Sequence, residues 1–420
     1  MTRVNCPKSI LLDQTSLVGR LLAGVGLGLW CTTTLALDWP NYHGPDHNNL
    51  SRETGWFSHW PPEGPKRLWR ASVGQGFASV SVANGRLYTL GVVDKQETLW
   101  CLNAATGERL WSHAYPYVFK PQYYEGGSSV TPTVDGTRVY SLGQAGELLC
   151  LDAASGKVIW EQNIAREHGL AIPTWGFAGA PLVRGNLLLL NAGTRGLALD
   201  KATGKLVWGT GQAAAGYSSL VPYLHQGRQA VALFAAREVV GLDLATGMAL
   251  WSHPWKTDWD VNAADPIVRE GKVFISSSYK AGCALVQFDP APAREVWRNK
   301  DMQNHFNMSV LVGDHLYGVD GEAEKPAFLK CLEWSTGTVR WSQPGLGLGS
   351  LMAADGKLII LSEKGEVVIA EANPAAFKPL ARFQALGGKC WTTPVLSHGR
   401  LYCRNSKGDL VCFLLKQAPQ

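Results

Sequence analysis

Charge is scarce in this chain of 420 residues. Asp, Glu, Lys and Arg make up only 17% of it, and the formal net charge is +5. Arg3, Lys8 and Arg20, set against Asp13, supply two of those five near the amino terminus. So weak a surplus, without a Lys/Arg cluster, argues against a nucleic-acid partner. Heptads and a G-X-Y period are missing, which excludes coiled-coil and collagen-like architectures. Long amphipathic helical patterns are missing too, which disfavours helical repeats. The chain has no G-x-S-x-G elbow, no H-E-x-x-H and no P-loop, so the commonest hydrolase, zinc-protease and nucleotide signatures are absent. It also has no adjacent cysteine pair and no C-x-x-C-H haem motif. Its apolar content is ample at 46% hydrophobic, with 46 Gly, 22 Pro and 17 Trp, which excludes a disordered tail protein.

The amino terminus has the form of an export signal. Arg3, Lys8 and Arg20 precede an uncharged stretch from Leu21 to Leu37. Its core, LLAGVGLGLW, matches a signal-peptide apolar region and is short for a membrane span. Thr34-Leu35-Ala36 offers small residues for cleavage after Ala36. An uncleaved anchor is one alternative; a lipoprotein signal ending at Cys31 is another, disfavoured by the bulky Trp30. No later stretch reads as a membrane span. The expectation is an exported body, periplasmic or extracellular, in four parts: a signal peptide (1–36), an extended segment (37–65), a repeat domain (66–415) and a tail (416–420).

The repeats dominate everything after that. NAATGERLW, DAASGKVIW, DKATGKLVW and DLATGMALW end at Trp111, Trp160, Trp208 and Trp251. DPAPAREVW and EWSTGTVRW are worn copies ending at Trp297 and Trp341; a degenerate copy ends at Phe383, and KRLW ends at Trp69. Successive ends lie 42 to 49 residues apart, the period of a four-stranded propeller blade. Each unit reads as four strands, for example SSVTPTV, RVYSLG, ELLCLD and KVIW. Two-residue turns at Asn84-Gly85, Asp135-Gly136, Arg184-Gly185 and Asp355-Gly356 join first strands to second. The carboxyl end supplies only three strands, WTTPVLS, RLYCRN and LVCFLL. KRLW69 is the missing fourth. The predicted fold is all-β: an eight-bladed propeller of four-stranded antiparallel blades, its ring closed by an amino-terminal strand.

A Trp at one register of every outer strand is best read as a dock between blades, not a ligand platform. Cys101, Cys150, Cys331 and Cys412 share one register of the third strand with Ala198, Gly241 and Ala370, which reads as a small-residue slot. Equivalent sites on neighbouring blades are too far apart for disulfides, so free thiols are expected; Cys403 and Cys412 on the last hairpin form the one pair worth weighing. Gly345-Leu346-Gly347-Leu348-Gly349 is followed by no helix and reads as a connector. His43 and His47 have metal-compatible spacing, but no third ligand is apparent, and no metal is expected there.

The phrase (A/D)-x-x-(T/S)-G-x-x-x-W before each blade end resembles the tryptophan-docking motif of pyrroloquinoline quinone (PQQ) repeats, over about residues 66 to 415. DWPNYHGP, SRETG, TWGFAGAPLV, YSSLVPY, MQNH and WTTPVLSHGRLY resemble exported PQQ-binding-like β-propeller proteins of the quinoprotein alcohol dehydrogenase-like superfamily. A more distant resemblance is to the propeller lipoprotein of the outer-membrane β-barrel assembly machine, which implies a scaffold without quinone. The dehydrogenase relatives imply PQQ with Ca²⁺ and, commonly, a vicinal cysteine pair that this chain lacks. No cofactor is therefore assured. Two readings follow: a non-catalytic module that binds a protein, polysaccharide or small ligand, or alternatively a PQQ-dependent oxidoreductase of alcohols or sugars.

The meander puts the fourth-to-first and second-to-third connections on one face. These are the longer, more varied loops, and such loops carry function on rigid scaffolds. Nine residues at the starts of the inner strands and in these loops are the expected ligand-binding set: Tyr124, Trp175, Tyr217, Asn262, Asp265, Tyr279, Asn304, His305 and Trp391. Aromatics can stack on a flat ligand or sugar, while Asn, Asp and His can orient it. The competing reading is that these residues plug the channel or brace loops. No catalytic or metal-binding residue is assigned.

Overall fold

The computed structural model describes residues 38–61 and 63–416. The export signal and most of the tail therefore lie outside the described residues. The strands form eight sheets, each with four antiparallel strands running from an inner to an outer one; the blade-seven sheet gains a fifth, parallel strand at its inner edge. Blades one to seven span 81–116, 133–163, 182–209, 221–254, 267–299, 310–344 and 350–384. Blade eight combines 395–414 with Arg67–Ser72, whose Trp69 lies opposite Cys412. The amino-terminal strand thus closes the ring.

All eight first-to-second connections are two-residue turns. Asn84-Gly85, Gln226-Gly227, Glu270-Gly271, Asp355-Gly356 and His398-Gly399 have positive φ at both positions, the signature of type I′. In blades two, three and six the glycine comes first, so the turns are Gly136-Thr137, Gly185-Asn186 and Gly313-Asp314. Two of the expected turns, Asp135-Gly136 and Arg184-Gly185, are thereby corrected by one residue. Asp135 and Arg184 instead close the ladders, opposite Arg138 and Leu187.

The outer Trp docks on the next blade in the ring. The indole N–H groups of Trp69, Trp111, Trp160 and Trp208 donate to the carbonyls of Ala104, Ala153, Lys201 and Leu244, at 3.1–3.2 Å. Each acceptor lies in the next blade's third-to-fourth turn. The glycine of that turn meets the incoming ring: a Cβ on Gly247, at φ +71°, would lie 2.6 Å from the Trp208 indole. The repeated T/S-G and the repeated W are therefore two halves of one contact between blades.

A tyrosine completes it. Tyr88, Cys101 and Trp111 lie side by side on the second, third and fourth strands. Tyr140-Cys150-Trp160 and Tyr402-Cys412-Trp69 repeat the arrangement. In all three, the phenol donates to the same carbonyl as the indole. Two rings converging on one acceptor leave room between them only for Cys, Ala or Gly. Blade seven breaks the pattern, and it corrects the expected register there. Ile369 occupies the slot and faces Ala381, whereas Ala370 faces Pro379 and Phe383 faces Val367. Blade five also departs, with Leu285 opposite Trp297. Cys403 faces Val411 and Cys412 faces Tyr402, so their side chains leave opposite sides of the sheet. All seven cysteines among the described residues are free and buried.

The segment from Asp38 to Glu53 runs along the inner strands. Trp39 bridges Val82 in blade one, and the Pro40 carbonyl accepts from Val134 in blade two. Leu50–Ser51 pair in parallel with Ser350–Ala354 of blade seven. Glu53 accepts from the Gly399 N–H in blade eight at 2.8 Å. First strands line the axis of a propeller, so this segment fills the central channel. Gly44, at φ +75°, makes the tight turn against Trp39, where a Cβ would lie 2.5 Å from the ring. Among the described residues the only α-helix is the short Ile164–His168 turn, and no helix is long and apolar enough to cross a membrane.

Candidate functional site

A cavity of about 380 Å³ opens on the long-loop face. Fourth-to-first connections supply most of its wall: Phe77, Tyr123 and Tyr124, Trp175, Tyr217, Asp265, His305 and Phe306, and Trp391. Tyr279 and Glu322 come from second-to-third connections in blades five and six, and Tyr42 from the channel segment.

Seven of the nine expected residues line this cavity: Tyr124, Trp175, Tyr217, Asp265, Tyr279, His305 and Trp391. Asn262 and Asn304 do not. Asn262 is fully buried; its amide donates to the Ala235 and Ala236 carbonyls and its Oδ1 accepts from Ser277. Asn304 donates to the Val319 carbonyl and accepts from Ser309. Both amides brace loops. The sequence reading missed four aromatic members of the lining, Tyr42, Phe77, Tyr123 and Phe306, and the carboxylates Glu322 and Glu324. Phe77 follows Gly74 and Gly76 in the loop after KRLW69, a position equivalent to those that were chosen.

The rings form an arc. Tyr279 lies 5.2 Å from His305, His305 4.8 Å from Phe306, Phe306 4.4 Å from Trp391, Trp391 5.5 Å from Phe77, and Phe77 6.0 Å from Tyr124. Tyr123, Trp175 and Tyr217 continue it at 6.4 and 5.8 Å. Gln144 clamps two members from behind: its amide donates to the Tyr124 hydroxyl at 2.8 Å and to the Trp175 carbonyl at 3.1 Å. The Trp391 indole donates to Glu363 at 3.0 Å.

The polar groups are largely engaged. Asp265 Oδ2 lies 2.6 Å from His43 Nε2, a buried pair joining the channel segment to blade five; its other oxygen accepts from the Ser219 N–H. His43 thus has a carboxylate partner. His47 is held down to about pKa 3 by burial, with Arg184 and His43 adding to the effect. No group of three or more His, Cys, Asp or Glu side chains suited to a metal occurs among the described residues. His305 Nε2 lies 2.9 Å from the Tyr279 hydroxyl, and Nδ1 accepts from the Ala323 N–H at 3.3 Å. That pattern puts the proton of neutral His305 on Nε2. Burial, outweighing Glu322, lowers its pKa to about 4, far from the poise of a general base at neutral pH. Burial pushes the Tyr42, Tyr124, Tyr217 and Tyr279 phenols up to about 12.

PQQ is a planar quinone carrying three carboxylates, so a site for it needs cationic or strong N–H donors. No Lys, Arg, Asn or Gln lines this cavity, and Asp265, Glu322 and Glu324 do. Arg404, fully buried behind Phe77, is engaged by the carbonyls of Gly74, Ala78 and Leu90 and by the Thr89 hydroxyl. The residues present do not fit the quinone.

The ring of docked blades defines a class: PQQ-repeat eight-bladed β-propellers. A family model described as "Outer membrane protein assembly factor BamB" matches residues 52–170 and 96–343, and the chain belongs to that family. No curated protein sequence matches it. Among solved structures it is similar to BamB from Moraxella catarrhalis, with 15% identity and a TM-score of 0.60, covering 84% of this chain and 99% of that one. It is also similar to the quinohemoprotein alcohol dehydrogenase from Comamonas testosteroni, with 15% identity and a TM-score of 0.64, covering 92% and 82%. The computationally designed protein Ika8 matches with 11% identity and a TM-score of 0.59, covering 84% and 100%. At these identities the structural likeness concerns the fold alone.

Proposed function

We propose that this protein is a non-catalytic, exported binding or scaffold module that receives a protein, polysaccharide or small ligand on its long-loop face. One observation carries the reading: the axial cavity is walled mainly by aromatics from the fourth-to-first loops, five to 18 residues long, while the opposite face is built from two-residue turns and third-to-fourth turns of five to seven residues; the second-to-third connections, two to seven residues long, are no longer than those opposite. Large, stiff aromatic surfaces in a concave site are what recognition uses. Against catalysis stand the shifted groups of the lining, near 4 for His305 and near 12 for the four phenols. Against a quinone stands the lining's lack of cations. Export rests on the charged-then-apolar amino terminus and is consistent with a family described by an outer-membrane assembly factor.

The test is a thermal-shift screen of diverse ligands, glycans and PQQ with Ca²⁺ included, followed by calorimetry on each stabilising compound. Trp175→Ala and His305→Ala should each weaken binding by at least about 2 kcal/mol, roughly 30-fold. Arg184→Ala, at a hairpin of the opposite face, should leave it unchanged. Equal affinity in all three variants would refute the placement.

A further inference from the structure

The chemistry of the lining is one-sided. Its charged side chains are all carboxylates, Asp265, Glu322 and Glu324, and it offers neither an amide nor a guanidinium. An anion would find no counter-charge there. A neutral glycan needs paired donors and acceptors around its hydroxyls; Asn and Gln are missing from the lining, and four of its Ser and Thr hydroxyls are already engaged, Ser129 with Gln144, Thr131 with the Ser79 N–H, Ser219 with the Ala180 N–H and Thr392 with the Phe77 carbonyl. A positive group needs only what is present: negative ring faces and carboxylate oxygens.

The carboxylates are not equivalent. Asp265 has His43, and Glu322 has Lys325 at 2.8 Å. Glu324 is exposed and has no ion-pair partner among the described residues; its backbone φ of +66° sets it in the loop of blade six beside the arc. The molecule pairs a cation with this same aromatic arc once already: Lys389 Nζ lies 4.2 Å from the Trp391 ring centroid while bound to Glu125 at 2.9 Å.

We infer that the cavity takes an organic cation, an alkylammonium or guanidinium group on an apolar stem. This rests on the reading of the cavity as a binding site and adds the chemical class of what enters. The group is either a free small molecule or the end of a basic side chain on a partner; both present the same chemistry to the rings.

Calorimetry with two isosteres isolates the charge. Acetylcholine and 3,3-dimethylbutyl acetate have the same shape and differ by one positive charge. The cation should bind at least about 10-fold tighter, and Glu324→Gln, which keeps shape and removes charge, should shrink that ratio. Nα-acetyl-lysine methylamide and Nα-acetyl-arginine methylamide test the side-chain source; either binding tighter than acetylcholine assigns the cation to a partner. Equal affinity of the isosteres, tighter binding of cellobiose or benzenesulfonate than of every cation, or no heat from any cation at millimolar concentration would overturn the inference. If cellobiose or benzenesulfonate binds and Trp175→Ala abolishes that binding, the site reading stands and only the ligand class falls. If Trp175→Ala leaves that binding untouched, the site reading falls as well.

Discussion

The periphery of the ring and its axis are built on opposite rules. At the rim, one contact recurs: an outer Trp docks on the third-to-fourth turn of the next blade, and in three blades a tyrosine shares its acceptor with a cysteine between the two rings. At the axis nothing recurs. Each inter-blade loop contributes a different side chain, and a segment from outside the repeats fills the channel. Periodicity therefore reports on packing, and function has to be sought where the period fails.

The contrast can be broken first at the rim, where the largest effect is expected. Trp208 is buried and hydrogen-bonded to Leu244 across the blade junction. Trp208→Ala should cost roughly 3–5 kcal/mol, read from the urea midpoint, and should leave ligand affinity within about twofold in the folded protein. A large loss of affinity with little loss of stability would reverse the roles assigned to rim and axis.

A smaller effect sharpens the inner region. Glu97, packed against Tyr115 and Glu147 next to the Gln144 clamp, has its pKa raised to about 7, chiefly by burial. The folded state therefore holds a proton that the unfolded chain releases near pH 4.5. Stability from this group is present at low pH, falls as pH rises from about 4.5 to 7, and is level above. Glu97→Gln should flatten that slope and stabilise the protein at pH 8 by roughly 2–3 kcal/mol, measured as melting temperature against pH. An unchanged slope would remove Glu97 as its source.

The repeats were legible because a docking contact needs the same residue type at the same register in every blade. They misled by one residue at the first turns of blades two and three, and in the docking register of blade seven, where Ile369 faces Ala381 and Phe383 mimics a docking position. The mouth was half legible: aromatics in inter-blade loops pointed to it, but Asn262 and Asn304 looked identical in sequence to amides aimed at a ligand. The partners that engage them, Ser277 and Ser309, emerge only in three dimensions. The channel segment was illegible as such, since its contacts with blades one, two, five, seven and eight are distant in sequence and belong to no repeat. His43 stood out in the sequence only for its spacing from His47, with no metal expected there, and in three dimensions it is the partner of Asp265.

The smallest effect concerns the cysteines. Cys101, Cys150 and Cys331 sit between Tyr and Trp rings, and burial raises their thiols, to about 12 for Cys101 and about 11 for Cys331. Alkylation under non-reducing conditions should label none of them in the folded protein and all three after unfolding, as read by mass spectrometry. A bridged cysteine among them would contradict the strand register.

The central claim is that the family likeness resides in the rim, while the axis has its own chemistry, unsuited to a tricarboxylate quinone. Its most direct test is the visible spectrum of the purified protein after incubation with PQQ and Ca²⁺ and removal of free cofactor, followed by a dye-linked dehydrogenase assay. The account predicts no retained quinone absorbance and no dye reduction by alcohols or sugars. Stoichiometric retention of PQQ with substrate-dependent dye reduction would contradict it.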